Sequence, residues 1–101
     1  FRTILERKEH AARQLCNALQ AAGQMQATAR EVDALATNMV VIATWWLSYE
    51  YVGNARRFGD PEYQGQAMAR GAYQVLSLLT PYLDPPGRAL FNRLADEYIQ
   101  H

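Results

Sequence analysis

His10, Cys16 and His101 are the only imidazole and thiol groups in the sequence, so soft-ligand metal chemistry would have to start from them. His10 and Cys16 are six residues apart, about 600° of helix rotation, so on one helix they cannot chelate a common ion. His101 is terminal. Glu6 and His10 share a helix face at i,i+4, but a metal would need further ligands that the sequence does not place there. A solvated Glu–His pair is the expectation, with no metal and no cofactor. Cys16 reads as a small buried apolar residue rather than a reactive thiol. Acid–base and nucleophilic chemistry find no better footing, because a Gly-rich phosphate loop, a G-x-S-x-G elbow and an HExxH are all absent. Glu50 is the carboxylate of most interest. It lies beside Tyr49 at the end of an apolar run, where burial would raise its pKa. Its expected fate is a helix-end carboxylate near Arg56 or Arg57, and no enzyme is expected.

The aromatic and Met residues are a different matter. Met39, Trp45, Trp46, Tyr49 and Tyr51 crowd one segment, with Tyr73 and Tyr82 available from the next. Large rings with a few hydroxyls are what a small-molecule pocket between helices uses. The same residues also describe an ordinary core or a dimer seam, and composition alone leaves both open. Trp45 and Trp46 are adjacent and point roughly 100° apart on a helix, so one can face the core while the other faces a cavity.

Four helices would have to position these groups. The first covers about 2–22, with Leu5, Ala12, Leu15 and Leu19 as a stripe, and Gly23 stands where a left-handed stop wants no Cβ. Glu9 and Arg13 are spaced for a solvated i,i+4 pair, and a short polar link, QMQA, follows. The second opens on Thr28-Ala-Arg-Glu31, a capping box. Its stripe runs Val32, Leu35, Met39, Ile42, Trp46, Tyr49, Gly53, with a second face of Val41, Trp45 and Val52. This is the pattern of a central helix contacted on several sides. It ends either at Gly53 or, after a turn holding Arg56 and Arg57, at Gly59. The third starts at Asp60-Pro61-Glu62 and ends at or before Thr80, because Pro81 cannot continue it. The fourth, roughly 85–100, follows Asp84-Pro85-Pro86 and turns Leu90, Phe91, Leu94, Tyr98 and Ile99 inward. With no period-two run, the fold class is all-α, a four-helix antiparallel bundle-like arrangement.

At 101 residues the chain makes one domain, 1–101. Sixteen Ala pad a helical core, and ten basic residues balance ten acidic ones, so the domain lacks the positive field that would let it hold nucleic acid unaided. One Cys forms no internal disulfide and is compatible with a reducing cytoplasm. The start at Phe1 without Met suggests a fragment or a processed form. The longest uncharged stretch, Ala34 to Tyr49, is short for a membrane span, and no membrane partner is expected. A chain of this size buries only roughly 60–65% of its unfolded surface. If it folded alone, some of Val75, Leu76, Leu78, Leu79, Leu90, Phe91 and Leu94 would stay exposed. Gly71, with Ala67 and Ala72, would allow close helix approach. Pairing the last two helices with those of a second copy hides that surface, so a homodimer is expected.

The segments ATNMVVIATWWLSYEYV and GAYQVLSLLTPYLDPPGRALFNRLADEY resemble the C-terminal regulatory domain of TetR-family bacterial transcriptional repressors. The resemblance covers about 28–100, with residues 1–27 a looser fit. It implies a cytoplasmic effector-sensing and dimerisation domain whose N-terminal helix-turn-helix is absent here, so operator DNA would be reached only through that missing domain. By the same resemblance, Met39, Ile42, Trp46 and Tyr49 would line a cavity for a small apolar or aromatic effector, with Trp45 as the alternative indole. Helices at about 61–80 and 85–100, with Met68, Gly71, Val75, Leu78, Leu79, Leu90, Phe91 and Leu94, would build the dimer seam. The rival reading is a helical interaction module with no ligand pocket.

Overall fold

The computed structural model describes residues 1–98. Four α-helices run in order: α1 (Arg2–Ala21), α2 (Ala29–Gly53), α3 (Pro61–Ser77) and α4 (Pro85–Tyr98). Short 3-10 turns at Ala55–Arg57 and Thr80–Tyr82 join α2 to α3 and α3 to α4. The protein is all-α, and no β-strand forms among the described residues. The inward side chains expected at Tyr98 and Ile99, and the terminal His101, lie outside what is described.

Four of the helix ends are closed by local chemistry. At the C-terminus of α1 the Gly23 N–H bonds the Gln20 carbonyl at 3.0 Å and the Gln24 N–H bonds that of Leu19 at 2.9 Å. This is a Schellman closure, with Gly23 at φ 75°. α2 opens with the capping box in full: Glu31 N–H donates to Thr28 Oγ1 at 3.1 Å, and Thr28 N–H donates to the Glu31 carboxylate at 2.8 Å. Asp60 caps α3 through Glu62 N–H at 3.0 Å, with Pro61 in the first turn. Asp84 does the same for α4. Pro85 and Pro86 have no N–H to offer, so Gly87 supplies the first donor, 2.6 Å from Asp84 Oδ1. The sequence left the end of α2 open between two glycines. The α-helix stops at Gly53, and Arg56 and Arg57 occupy a separate 3-10 turn.

α2 is the central element, packed against α1 on one side and α3 on the other, while α4 meets α3 more sparingly. The core gathers Ala12 and Cys16 from α1, Val32, Leu35, Ala36 and Met39 from α2, and Leu79 beyond α3. Cys16 is fully buried, and burial pushes its thiol pKa up, which suits the apolar role expected of it. The buried stripe of α1 passes through Ala12 and Cys16 rather than Leu15, which is 38% exposed. Leu15 faces instead a small apolar groove shared with Leu90, Phe91 and Leu94. The link after α1 is less polar in effect than in composition, because Met25 is buried to 2%. Its segment zips onto the one before α4: Gln26 N–H bonds Tyr82 O at 2.9 Å and Asp84 N–H bonds Gln24 O at 3.0 Å. Arg13 adds an exposed tie, reaching both Glu9 and Asp33 at 3.2 Å. Glu6 pairs with Arg2 at 3.8 Å rather than with His10.

The Cα envelope measures 43 × 34 × 16 Å. A closed four-helix bundle is about equally wide in its two short directions, whereas this chain is twice as broad as it is thick. The helices therefore form a broad slab, and the long apolar part of α2 is open on its faces. Val41, Trp45 and Leu47 are each nearly half exposed.

Candidate functional site: an aromatic-walled cavity between α2 and α3

The last two turns of α2 present Trp46, Tyr49, Glu50 and Gly53 along one face, at helical spacings of three and four. The opposing row on α3 is Tyr63, Ala67, Arg70, Gly71 and Gln74. Where the helices cross, Trp46 lies on Gly71. A Cβ at Gly71 would come within 2.5 Å of Trp46 Cδ1, so only glycine admits the indole at this height. The indole N–H then reaches the Ala67 carbonyl at 2.8 Å, which fixes the ring plane.

Glu50 sits one turn further along, buried to 9% exposure. Arg70 grips it bidentately, Nε to Oε2 at 2.8 Å and Nη2 to Oε1 at 2.9 Å, and the Tyr63 hydroxyl donates to Oε1 at 3.1 Å. This corrects both sequence-based expectations for Glu50. Its partner is Arg70 on α3, not Arg56 or Arg57. The Arg70 hydrogen bonds outweigh desolvation and hold its pKa below the ordinary carboxylate value. The same pairing holds Arg70 more firmly protonated. Arg57 instead lies over the Tyr63 ring, 4.5 Å from its centroid. Tyr51, Phe58 and Tyr63 continue as edge-to-face pairs at 5.4 and 5.8 Å.

Between these rows opens a cavity of about 600 Å³, within the range of small-molecule sites. Trp46, Tyr49, Tyr63 and Tyr73 supply its rings, with Glu50, Asn54, Arg70 and Gln74 as its polar groups and Val52 and Gly53 at its edge. Tyr49 is 69% exposed and stands 5.1 Å from Trp46, ring to ring. Trp46 also borders a second, apolar groove of about 380 Å³ with Leu47, Met68, Ala72 and Val75.

Of the candidate ligand residues, the structure brings Trp46 and Tyr49 together in this cavity. Met39 is buried in the α1–α2 core and Ile42 is half-buried. Trp45 points away, half exposed and edge-on to Phe1 at 6.4 Å. Tyr63 and Arg70 were not singled out from the sequence. The signal was present in the row 63–67–70–74, which sets an Arg and a Gln at helical spacing on an otherwise apolar face. Among the candidate dimer residues, Met68, Leu90 and Leu94 are exposed at 63%, 44% and 44%. Val75, Leu78 and Phe91 are half-buried, with Phe91 stacked on Tyr73. Gly71 is covered by Trp46 and Leu79 by the core, so both are used inside the chain.

Among the described residues no helix is long and apolar enough to cross a membrane, and no three His, Cys, Asp or Glu side chains gather as metal ligands. What fold and site define together is an all-helical domain with an open aromatic cavity between two helices. Residues 1–91 match the TetR family, bacterial transcriptional repressors. The chain belongs to that family, and its role is in transcription regulation. Comparison with curated proteins and with solved structures gave no match.

Proposed function

We propose that residues 1–101 form a single effector-sensing and dimerisation domain of a TetR-family regulator, working in the cytoplasm as a homodimer. Operator DNA is then read by a helix-turn-helix domain N-terminal to this chain, and the balanced charge of the chain accords with its taking no direct part. The observation that carries the reading is the cavity walled by Trp46, Tyr49, Tyr63 and Tyr73. Its size and its ratio of rings to polar groups suit a small apolar or aromatic effector. The dimer surface proposed is that of Met68, Leu90 and Leu94 with their half-buried neighbours.

Coupling follows from the position of Trp46. Its indole is one wall of the cavity and, on its other side, a wall of the apolar groove next to Met68. A ligand that moves the indole acts on the α2–α3 crossing at Gly71, and α3 carries that shift toward α4 and the partner copy. The effector need only bind one arrangement of the crossing better than the other to shift the population. A thermal-shift screen tests this. An aromatic effector at a hundred times its Kd stabilises by about 2.7 kcal/mol, a rise in Tm of roughly 10–20 °C for a domain of this size. The rise should vanish in Trp46→Ala, provided circular dichroism shows that variant folded. A rise of equal size in folded Trp46→Ala would place the ligand elsewhere.

A further inference from the structure

The polar wall of the cavity is asymmetric in what it offers a ligand. Glu50 has little left to give: Arg70 and the Tyr63 hydroxyl together take three of its lone-pair positions, and it is almost wholly buried. Arg70 has much left. A guanidinium carries five N–H donors; the grip on Glu50 uses one on Nε and one on Nη2. Among the described residues no hydrogen bond is made by Nη1; the Tyr63 hydroxyl and ring lie close to the guanidinium, and the side chain is 36% exposed. The end-on edge formed by Nη1 and Nη2 is thus open, held in place by the salt bridge behind it. Arg57 and Arg70 both lie over the Tyr63 ring, 4.5 and 5.3 Å from its centroid, and of the two only Arg70 lines the cavity.

From this we infer that the cavity takes an aromatic compound bearing a carboxylate or similar planar oxyanion, its ring against Trp46 and Tyr49 and its oxyanion on the open edge of Arg70. The inference rests on the effector-binding reading above and specifies its chemistry. A cationic ligand would find Glu50, the one carboxylate lining the cavity among the described residues, with three of its roughly four acceptor positions already taken. A purely apolar one would bury the open Arg70 donors without an acceptor, which costs free energy that an oxyanion recovers. Two parallel charge-assisted bonds to a planar group are what the end of a guanidinium is shaped to make.

Calorimetric titration of the chain with naphthoate and with naphthamide, which share ring and shape and differ in charge, tests the assignment. Naphthoate is expected to bind more tightly by about tenfold or more. In Arg70→Lys, which keeps the positive charge beside Glu50 but loses the fork, that preference should collapse while naphthamide affinity changes little. Equal affinities for the two compounds in the unaltered chain, or a preference that survives Arg70→Lys, would overturn the inference. Tighter binding of naphthamide would overturn it too, yet leave the effector-binding reading intact. Binding by neither compound would count against both. The comparison in the unaltered chain stands whether or not Arg70→Lys folds.

Discussion

At the end of α2 a carboxylate loses most of its water and stays ionised, because two N–H groups of Arg70 and the Tyr63 hydroxyl replace it. The pKa of Glu50 is depressed in the folded chain, so in acid the unfolded chain takes up the proton first. Stability from this group is fully present above the unfolded glutamate value, about 4.3, and is lost as pH falls through the lower folded value. Glu50→Gln should therefore cost about 1–3 kcal/mol at neutral pH and flatten the acid limb of a stability–pH curve measured by urea denaturation. An unchanged acid limb would mean the pair contributes nothing. Gly71 offers a sharper geometric case. Gly71→Ala gains helix propensity of up to about 1 kcal/mol, but its Cβ meets Trp46 at 2.5 Å, and overpacking costs about 1–3 kcal/mol. The clash should win in denaturation experiments, and pairing it with Trp46→Leu should make the losses clearly less than additive.

Helix ends carry the next level. Gly23 is the one described residue with positive φ, and its closure of α1 sets the path by which Met25 enters the core and the loop zips onto the segment before α4. Gly23→Ala should cost about 1–2 kcal/mol, read as a fall in the urea midpoint with unchanged m-value. These ends were legible in the sequence, since Gly23, Thr28 with Glu31, Asp60 with Pro61, and Asp84 before two prolines each act through neighbours within a few residues. The stripe Val32–Leu35–Met39 was legible for the same reason. The Glu50–Arg70 pair was not. Its members are 20 residues apart on separate helices, and no local spacing says which arginine a carboxylate will meet. Periodicity favours Trp46 over Trp45 only by its place in the stripe, since Trp45 lies in an apolar row too; what seats Trp46 on α3 is the missing side chain at Gly71, a property of the other helix. Met25 is not legible in this way, because a single apolar residue in a polar link has no period to mark it.

The whole molecule exposes more surface than a self-sufficient domain of its mass. Its accessible surface is 7038 Å², against about 5,800 Å² expected for a folded monomer of this size. Its radius of gyration of 14.8 Å exceeds the ~13 Å usual for 100 residues. The excess of roughly 1,200 Å² is of the order that each partner buries in a specific interface. The exposed Leu90 and Leu94 lie one helical turn apart on α4. Under the proposed homodimer, Leu90→Glu with Leu94→Glu should leave only an 11.5 kDa species in sedimentation equilibrium; a dimer that persists in the double variant would move the proposed interface to another face. The measurement that bears most directly on the account is a ligand titration followed through the two indole N–H signals in a proton–nitrogen NMR spectrum. With an aromatic carboxylate, the Trp46 signal, whose N–H is held by the Ala67 carbonyl, should shift in proportion to occupancy while that of Trp45 stays still. A saturating titration that moves Trp45 alone, or an aromatic ligand that binds and moves neither, would contradict it.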